Sequence, residues 1–173
     1  MHVTHDTHLE TQIGRLLVAW DGSNLTGLYF ENHPGGPPPA VVAQAPPMNG
    51  LIRSAIPPLL HALDRQLDEY FRGKRKSFDI PIHTDGTSFQ ERVWKALKDI
   101  PYGEVITYSQ LADQIGSASA VRAAGTATSR NPISILIPCH RVVGSDGRLT
   151  GYAGGLDRKR QLLAIEKYIP LAP

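Results

Sequence analysis

Cys139 is the only cysteine in the 173-residue chain, and it stands in Ile137-Pro138-Cys139-His140-Arg141-Val142. A cysteine thiolate is an intrinsically strong nucleophile. Pro138 pins the backbone, the apolar residues before it carry the thiol inside, and His140 and Arg141 bring potential positive charge, a setting that lowers a thiol pKa. The competing reading is a small buried hydrophobe. Adjacency in sequence also normally turns a Cys and a His in different directions. From residue types alone, the candidate chemistry is nucleophilic attack by Cys139.

A single cysteine excludes an internal disulfide and a multi-cysteine zinc site. The histidines are His2, His5, His8, His33, His61, His83 and His140. The first three lie three apart in a polar N-terminal segment, which reads as a flexible end rather than a metal site. No metal and no cofactor are expected. Hydrophobic residues make up 41% and charged residues 20% of the chain, as in ordinary globular proteins. No apolar run is long enough to cross a bilayer, and the N-terminus lacks the basic and apolar regions of a leader. A cytoplasmic setting without a membrane partner follows as an expectation. The net charge of +2 is too small to announce a nucleic-acid partner. Its distribution says more: Lys and Arg against Asp and Glu number seven to eight over residues 1–84 and eleven to eight over 85–173.

The elements that must position Cys139 fall into two parts. Residues 1–84 read as a small α+β domain. Residues 11–30 alternate around Asp21-Gly22-Ser23-Asn24 as a hairpin. Residues 33–58, rich in Pro, Gly and Ala, read as a long surface excursion. Leu59, Leu60, Leu63, Leu67, Tyr70 and Phe71 recur at helical spacing before Gly73, and residues 78–82 alternate like a short edge strand. Residues 85–173 read as a mainly α domain. Thr87 with Gln90 and Thr107 with Gln110 match capping boxes. Gly116 ends the second helix, and Ser117 or Ser119 caps an alanine-rich third helix running to about Ser129. Two short helices at a tight turn suggest a helix-turn-helix, winged-helix-like in kind. The β-branched run 133–137 reads as a buried extended segment ending at Pro138, and a last helix covers about 156–168.

Pro138-Cys139-His140-Arg141-Val142, preceded by Arg130-Asn131-Pro132 and followed by Gly151-Tyr152-Ala153-Gly154-Gly155, closely resembles the active-site signature of the O6-alkylguanine-DNA alkyltransferases. The resemblance extends from about Phe89 to Tyr168, and residues 1–84 match that family's smaller N-terminal domain only in outline. It implies DNA repair by irreversible, single-turnover transfer of an alkyl group from O6-alkylguanine in duplex DNA, with O4-alkylthymine as a further substrate, to Cys139. His140 would act as base through a water, oriented by Glu166. Tyr108 would hydrogen-bond a ring nitrogen of the flipped base. The carbonyls of Cys139 and Val142 would accept from its exocyclic amine, and Ser145 and the amide of Ala153 would meet O6. Tyr152 would wall the pocket beside Gly154, and Asn131 would tie the recognition helix to the active-site segment.

The resemblance further implies that the nucleotide is flipped out, which costs about a few kcal/mol. Arg122 would take its place from a helix in the minor groove, with Thr107, Ser109, Ala123, Thr128 and Arg130 also toward DNA. Ala120, Ala123, Ala124 and Ala127 would let that helix approach closely, and Lys159 would support the closing helix or contact phosphate. The sequence departs from the family where Ala153 stands for a usual serine, where Thr128 replaces a bulkier apolar residue of some relatives, and where Arg130 replaces a smaller one. The N-terminal zinc cysteines of some relatives are absent, so zinc is not implied. The resemblance implies a monomer. The alternatives are a lesion sensor, which would lack the acceptor cysteine; a helix-turn-helix regulator, which would need a multi-cysteine metal sensor; and a cysteine hydrolase, which would need water to release the thioether.

Overall fold

A computed structural model describes residues 5–34, 36, 47–48 and 56–168. Strands β1 (His5–Thr11), β2 (Gly14–Trp20) and β3 (Leu25–Phe30) form an antiparallel sheet in that order. The β2–β3 turn is where the sequence puts it: Asp21 Oδ1 accepts from the backbone N–H groups of Ser23 and Asn24 at 2.9 and 2.8 Å, the side chain imitating a backbone turn. The N-terminal segment expected to be a flexible end is instead β1, paired with β2 from His5 opposite Trp20 to Thr11 opposite Gly14. Thr7, His8 and Leu9 are buried there. Because two of those three are polar, hydrophobic alternation could not reveal the strand.

Helix α1 (Pro58–Phe71) starts with proline at its first position and buries Leu60, Leu63, Leu67 and Tyr70, joining one apolar cluster with Leu16, Val18, Leu25 and Leu28 of the sheet. Gly73, at φ +69°, receives the chain as the helix ends. Most of the excursion expected over 33–58 lies outside the described residues. Within it, Pro47 bridges to His8 and Met48 is buried in the core.

Both capping boxes are present. They open α2 (Ser88–Lys98) and α3 (Tyr108–Gln114). The turn at Gly116 (φ +71°) leads to α4 (Val121–Ser129), so α3 and α4 form the helix-turn-helix pair. Trp94 Nε1 of α2 donates to the Ala127 carbonyl at 2.9 Å and pins α4 to the core. Strands β4 (Ile106–Thr107) and β5 (Val142–Val143) pair in parallel beside it, and α5 (Leu156–Ile165) closes the chain's described part.

Three local expectations are corrected. No serine side chain caps α4: its N-cap is Ala120, whose N–H donates to the Ser117 carbonyl at 2.8 Å. Residues 78–82 form no strand, only a bridge from Ile82 to Leu25; Gln66 Oε1 takes the N–H of Asp79 at 2.8 Å, and Pro81 has none to offer a ladder. Residues 133–137, all buried but the half-buried Leu136, fold as a turn, with one bridge from Ile133 to Leu28, an Ile137 N–H to Ile133 carbonyl bond of 3.0 Å, and Ile135 at φ +72°. A β-branched residue in that region is strained by about 1–3 kcal/mol, which the burial of Ile133, Ile135 and Ile137 offsets.

Candidate active site

The strained turn delivers Cys139 onto a single 3-10 turn, Cys139–Arg141, with all three residues buried. Asn131, fully buried at the end of α4, staples this segment. Its Oδ1 accepts from the Ile133 N–H at 2.9 Å, its Nδ2 donates to the Ile137 carbonyl at 2.8 Å, and the same nitrogen lies 3.1 Å from the Cys139 sulfur. The amide therefore fixes both the turn and its nucleophile.

His140 turns the other way from the cavity floor, onto Glu166, where its Nε2 meets Oε1 at 2.7 Å with both side chains wholly buried. Glu166 is the C-cap of α5. It collects further donors: Arg141 Nε at 2.9 Å and Nη2 at 3.0 Å, the Tyr70 hydroxyl at 2.6 Å, and the Gly103 N–H at 3.1 Å. Burial alone would raise its pKa, but the His140 and Arg141 bonds and charges outweigh that and hold the carboxyl well below the usual range. An ionised carboxylate only accepts, so Nε2 carries the imidazole proton and Nδ1 is left with its lone pair. Nδ1 is buried and without a hydrogen-bond partner among the described residues. Burial, and the charges of Arg141 and Lys159, keep the imidazole pKa below its usual value despite Glu166, so it is a neutral base at pH 7.

The expectation that His140 and Arg141 would lower the thiol pKa is reversed. Burial pushes Cys139 up, and the Asn131 bond and the Lys159 charge only partly oppose it. Arg141 is engaged by Glu166 and by the Ile100 carbonyl. The cation that acts on the sulfur is Lys159, twenty residues further along the chain. It is fully buried, which fits support of the closing helix rather than the alternative of a phosphate contact, its ammonium donating to the carbonyls of Val142 at 2.5 Å, Thr150 at 2.9 Å and Gly151 at 3.4 Å. Burial pulls its pKa down to about 8.

Above the sulfur lies a cavity of about 270 Å³ lined by Pro34, Tyr108, Gly125, Thr128, Ser129, Cys139, Gly151, Tyr152 and Ala153. It is large enough for a planar base and small enough to enclose most of one. Tyr108, at the first position of α3, is kept a donor by burial and by the neighbouring Cys139, which raise its pKa. Tyr152 packs edge-on against Phe30 of β3, ring centroids 6.2 Å apart, with Gly154 buried behind it.

The sequence-predicted residues thus divide. Cys139, Tyr108, Thr128, Tyr152 and Ala153 line the cavity. Asn131, His140, Glu166, Val142, Gly154 and Lys159 support it from behind. Ser145 is exposed in the turn after β5 and is not part of the lining. Arg122 and Ala123 stand exposed on α4 and Arg130 at its C-terminal cap, and Ser109 is exposed on α3, where Thr107 is occupied as the cap. Neither Arg122 nor Arg130 has an ion-pair partner among the described residues. Ala124 and Ala127 are buried against the core, at 0% and 3% exposure, which corrects their assignment to a surface-approaching stripe; Thr128 is likewise buried, its hydroxyl donating to the Ala124 carbonyl at 2.7 Å. Sequence reasoning missed Pro34, Phe30, Tyr70 and Gly103. Pro34 and Phe30 sit in the first half, far along the chain from any signature, and Tyr70 reads as one more apolar position of α1.

The family model described as 6-O-methylguanine DNA methyltransferase, DNA binding domain, matches residues 88–168, and its ribonuclease-like domain matches residues 5–84. A methylated-DNA–protein-cysteine methyltransferase of Mycobacterium leprae is 44% identical over 164 residues, 95% of this chain and 93% of its own length. One from Haemophilus influenzae is 40% identical over 168 residues, covering 96% and 88%. The crystal structure of Mycobacterium tuberculosis OGT in complex with DNA superposes with a TM-score of 0.81 at 43% identity, covering 94% of this chain and 93% of that one.

Proposed function

The chain belongs to the 6-O-methylguanine DNA methyltransferase family, and we propose on that premise that it repairs duplex DNA by transferring the alkyl group of O6-alkylguanine to its own Cys139. The observation that carries the reading is the buried His140–Glu166 pair directly behind Cys139, which itself lines a cavity beside the exposed face of α4. The thiol proton passes to His140 Nδ1 through a bridging water, and the Glu166 carboxylate stabilises the imidazolium. The sulfur attacks the alkyl carbon in line, the S–C bond forms as the C–O6 bond breaks, and the electron pair departs with the purine. Tyr108 donates to a purine ring nitrogen and the Ala153 amide to O6, so charge is met where it develops. A thioether has no facile leaving group, so each molecule acts once.

The base must leave the duplex to reach a buried sulfur. Arg122 at the start of α4 fills the gap, and Arg130 neutralises backbone phosphate; both are exposed cations with no ion-pair partner among the described residues, which supports the assignment. Residues 1–84 serve as a scaffold and 85–173 as the catalytic, DNA-binding unit. We place the protein in the cytoplasm, where reducing conditions keep a lone thiol free; no described helix is long and apolar enough to cross a membrane.

Intact mass after incubation with a short duplex containing O6-methylguanine tests the reading. A gain of one methyl group, localised to Cys139 and absent from Cys139→Ser, is expected. Tight binding with no gain would leave a lesion sensor, and many lesions repaired per protein would leave a catalyst with turnover.

A further inference from the structure

The proposed reaction leaves the hydroxyl of one cavity-lining residue unused. The Tyr152 hydroxyl is buried and has no partner in hydrogen-bond geometry among the described residues. Buried phenols ordinarily find one. The ring has little freedom to turn away in search of it: Phe30 holds one edge at 63° to its plane, and a Cβ built at Gly154 would lie 2.8 Å from Tyr152 Cε1. The hydroxyl is thus held near enough to Cys139 for the two groups to interact, on a residue that lines the cavity beside it.

Cys139, for its part, lacks stabilisation as a thiolate. Asn131 Nδ2 at 3.1 Å supplies one donor and Lys159 a nearby charge, and these do not offset burial, which still holds the thiol above its usual pKa. A thiolate formed here needs another donor. Burial and the neighbouring Cys139 push the Tyr152 phenol well above its usual pKa of 10, so it keeps its proton at neutral pH.

Building on the reading of Cys139 as alkyl acceptor, we infer that the Tyr152 hydroxyl is that donor: it hydrogen-bonds the Cys139 sulfur once the thiol ionises, making Tyr152 a catalytic residue as well as a wall. The S–H bond breaks, its proton goes to His140, and the freed sulfur lone pair accepts the Tyr152 O–H beside the Asn131 N–H. Tyr152 keeps its own proton throughout. When the S–C bond forms, the sulfur loses its charge and the hydrogen bond weakens. The resting molecule therefore holds an unsatisfied donor that the reactive state satisfies, which is the preorganisation expected of a site that must bear charge only briefly.

Tyr152→Phe removes one oxygen and keeps the ring contacts. The ultraviolet absorbance of the thiolate, titrated against pH in the free protein, should move upward by about one pH unit or more, with about tenfold less thiolate at a given pH. Single-turnover transfer from O6-methylguanine duplex should slow by a similar factor at neutral pH and recover as pH rises. In wild-type protein carrying a heavy carbon isotope at tyrosine Cζ, the Tyr152 resonance should titrate together with the thiol. Coincident thiolate titrations in wild type and variant, or a Tyr152 resonance that stays flat, would overturn the inference. Both titrations are read without DNA, so a wild type that ionises as described yet transfers no alkyl group would sink the repair reading alone.

Discussion

The Tyr70 hydroxyl donates to Glu166 Oε1 across 96 positions of sequence, at 2.6 Å and wholly buried. Tyr70 belongs to α1, at the heart of the first half, and Glu166 caps the last helix, so a side chain of the scaffold reaches directly into the charge network behind the nucleophile. The same oxygen also receives His140 Nε2 and Arg141 Nη2. Tyr70→Phe removes a hydrogen bond to a charged group, worth about 1.5–3 kcal/mol. It should lower stability in urea by about that amount and slow alkyl transfer, because the carboxylate then leans on His140 with one constraint fewer. A variant with wild-type transfer and stability would show that the contact is incidental.

Glu166 also sets the acid limit of the fold. Its folded pKa lies well below the usual 4.5, because the bonds and charges of His140 and Arg141 outweigh its burial. The stabilisation is therefore full above about pH 4.5 and is lost as pH falls below that value toward the folded pKa. Unfolding free energy measured from pH 6 downward should fall steeply below about 4.5. In Glu166→Gln that slope should be shallower, while stability at pH 7 drops by about 3–5 kcal/mol because Arg141 is left buried without its counter-charge. Equal slopes in the two proteins would assign acid sensitivity to other carboxylates.

Much of this arrangement was legible in the sequence. The hairpin, α1, both capping boxes and the α3–α4 pair follow from spacing and local chemistry, since each is fixed by residues within a few positions of one another. The signature around Cys139 places His140, Tyr108, Asn131, Tyr152 and Glu166 together because it ties each to a role. What escaped depends on distance or on polarity at buried positions. β1 buries Thr7 and His8, the 133–137 run is closed into a turn by the Asn131 side chain, and Lys159 and Tyr70 owe their roles to partners that only folding brings near. The thiol's direction of shift was misread for the same reason: sequence shows that Arg141 is adjacent, not that Glu166 already holds it.

Lys159 should leave a signature at alkaline pH. Below about pH 8 its amine is charged in folded and unfolded chains alike, and the folded chain bears the whole desolvation penalty. Between about pH 8 and 10.5 the folded chain gives up the proton that the unfolded chain still holds, so stability rises with pH across that window. Lys159→Met has no such titration. The two are best compared in a Cys139→Ser background, which removes the thiol's own ionisation. There the protein that keeps Lys159 should gain stability relative to the Lys159→Met variant from pH 8 to 10. A constant difference would mean that the carbonyls of Val142, Thr150 and Gly151 compensate the burial completely.

Arg122 separates binding from chemistry. It is exposed at the second position of α4, away from the buried Ala124 and Ala127 that pack that helix on the core, so Arg122→Ala should change stability by no more than about 0.5 kcal/mol. Nor does it line the cavity, so the chemical step on a small substrate has no use for it. If it holds the space left by a flipped nucleotide, the variant should repair O6-methylguanine in duplex far more slowly while reacting with the free base analogue O6-benzylguanine at the wild-type rate. A plain phosphate contact would instead weaken binding to damaged and undamaged duplex alike and lessen the salt dependence by about one counterion. The comparison to make is therefore duplex transfer at saturating DNA. A rate that recovers fully at saturation assigns Arg122 to affinity, and one that stays low assigns it to extrusion of the base. Equal losses on duplex and free base would refute both, since the residue would then act inside a cavity it does not touch.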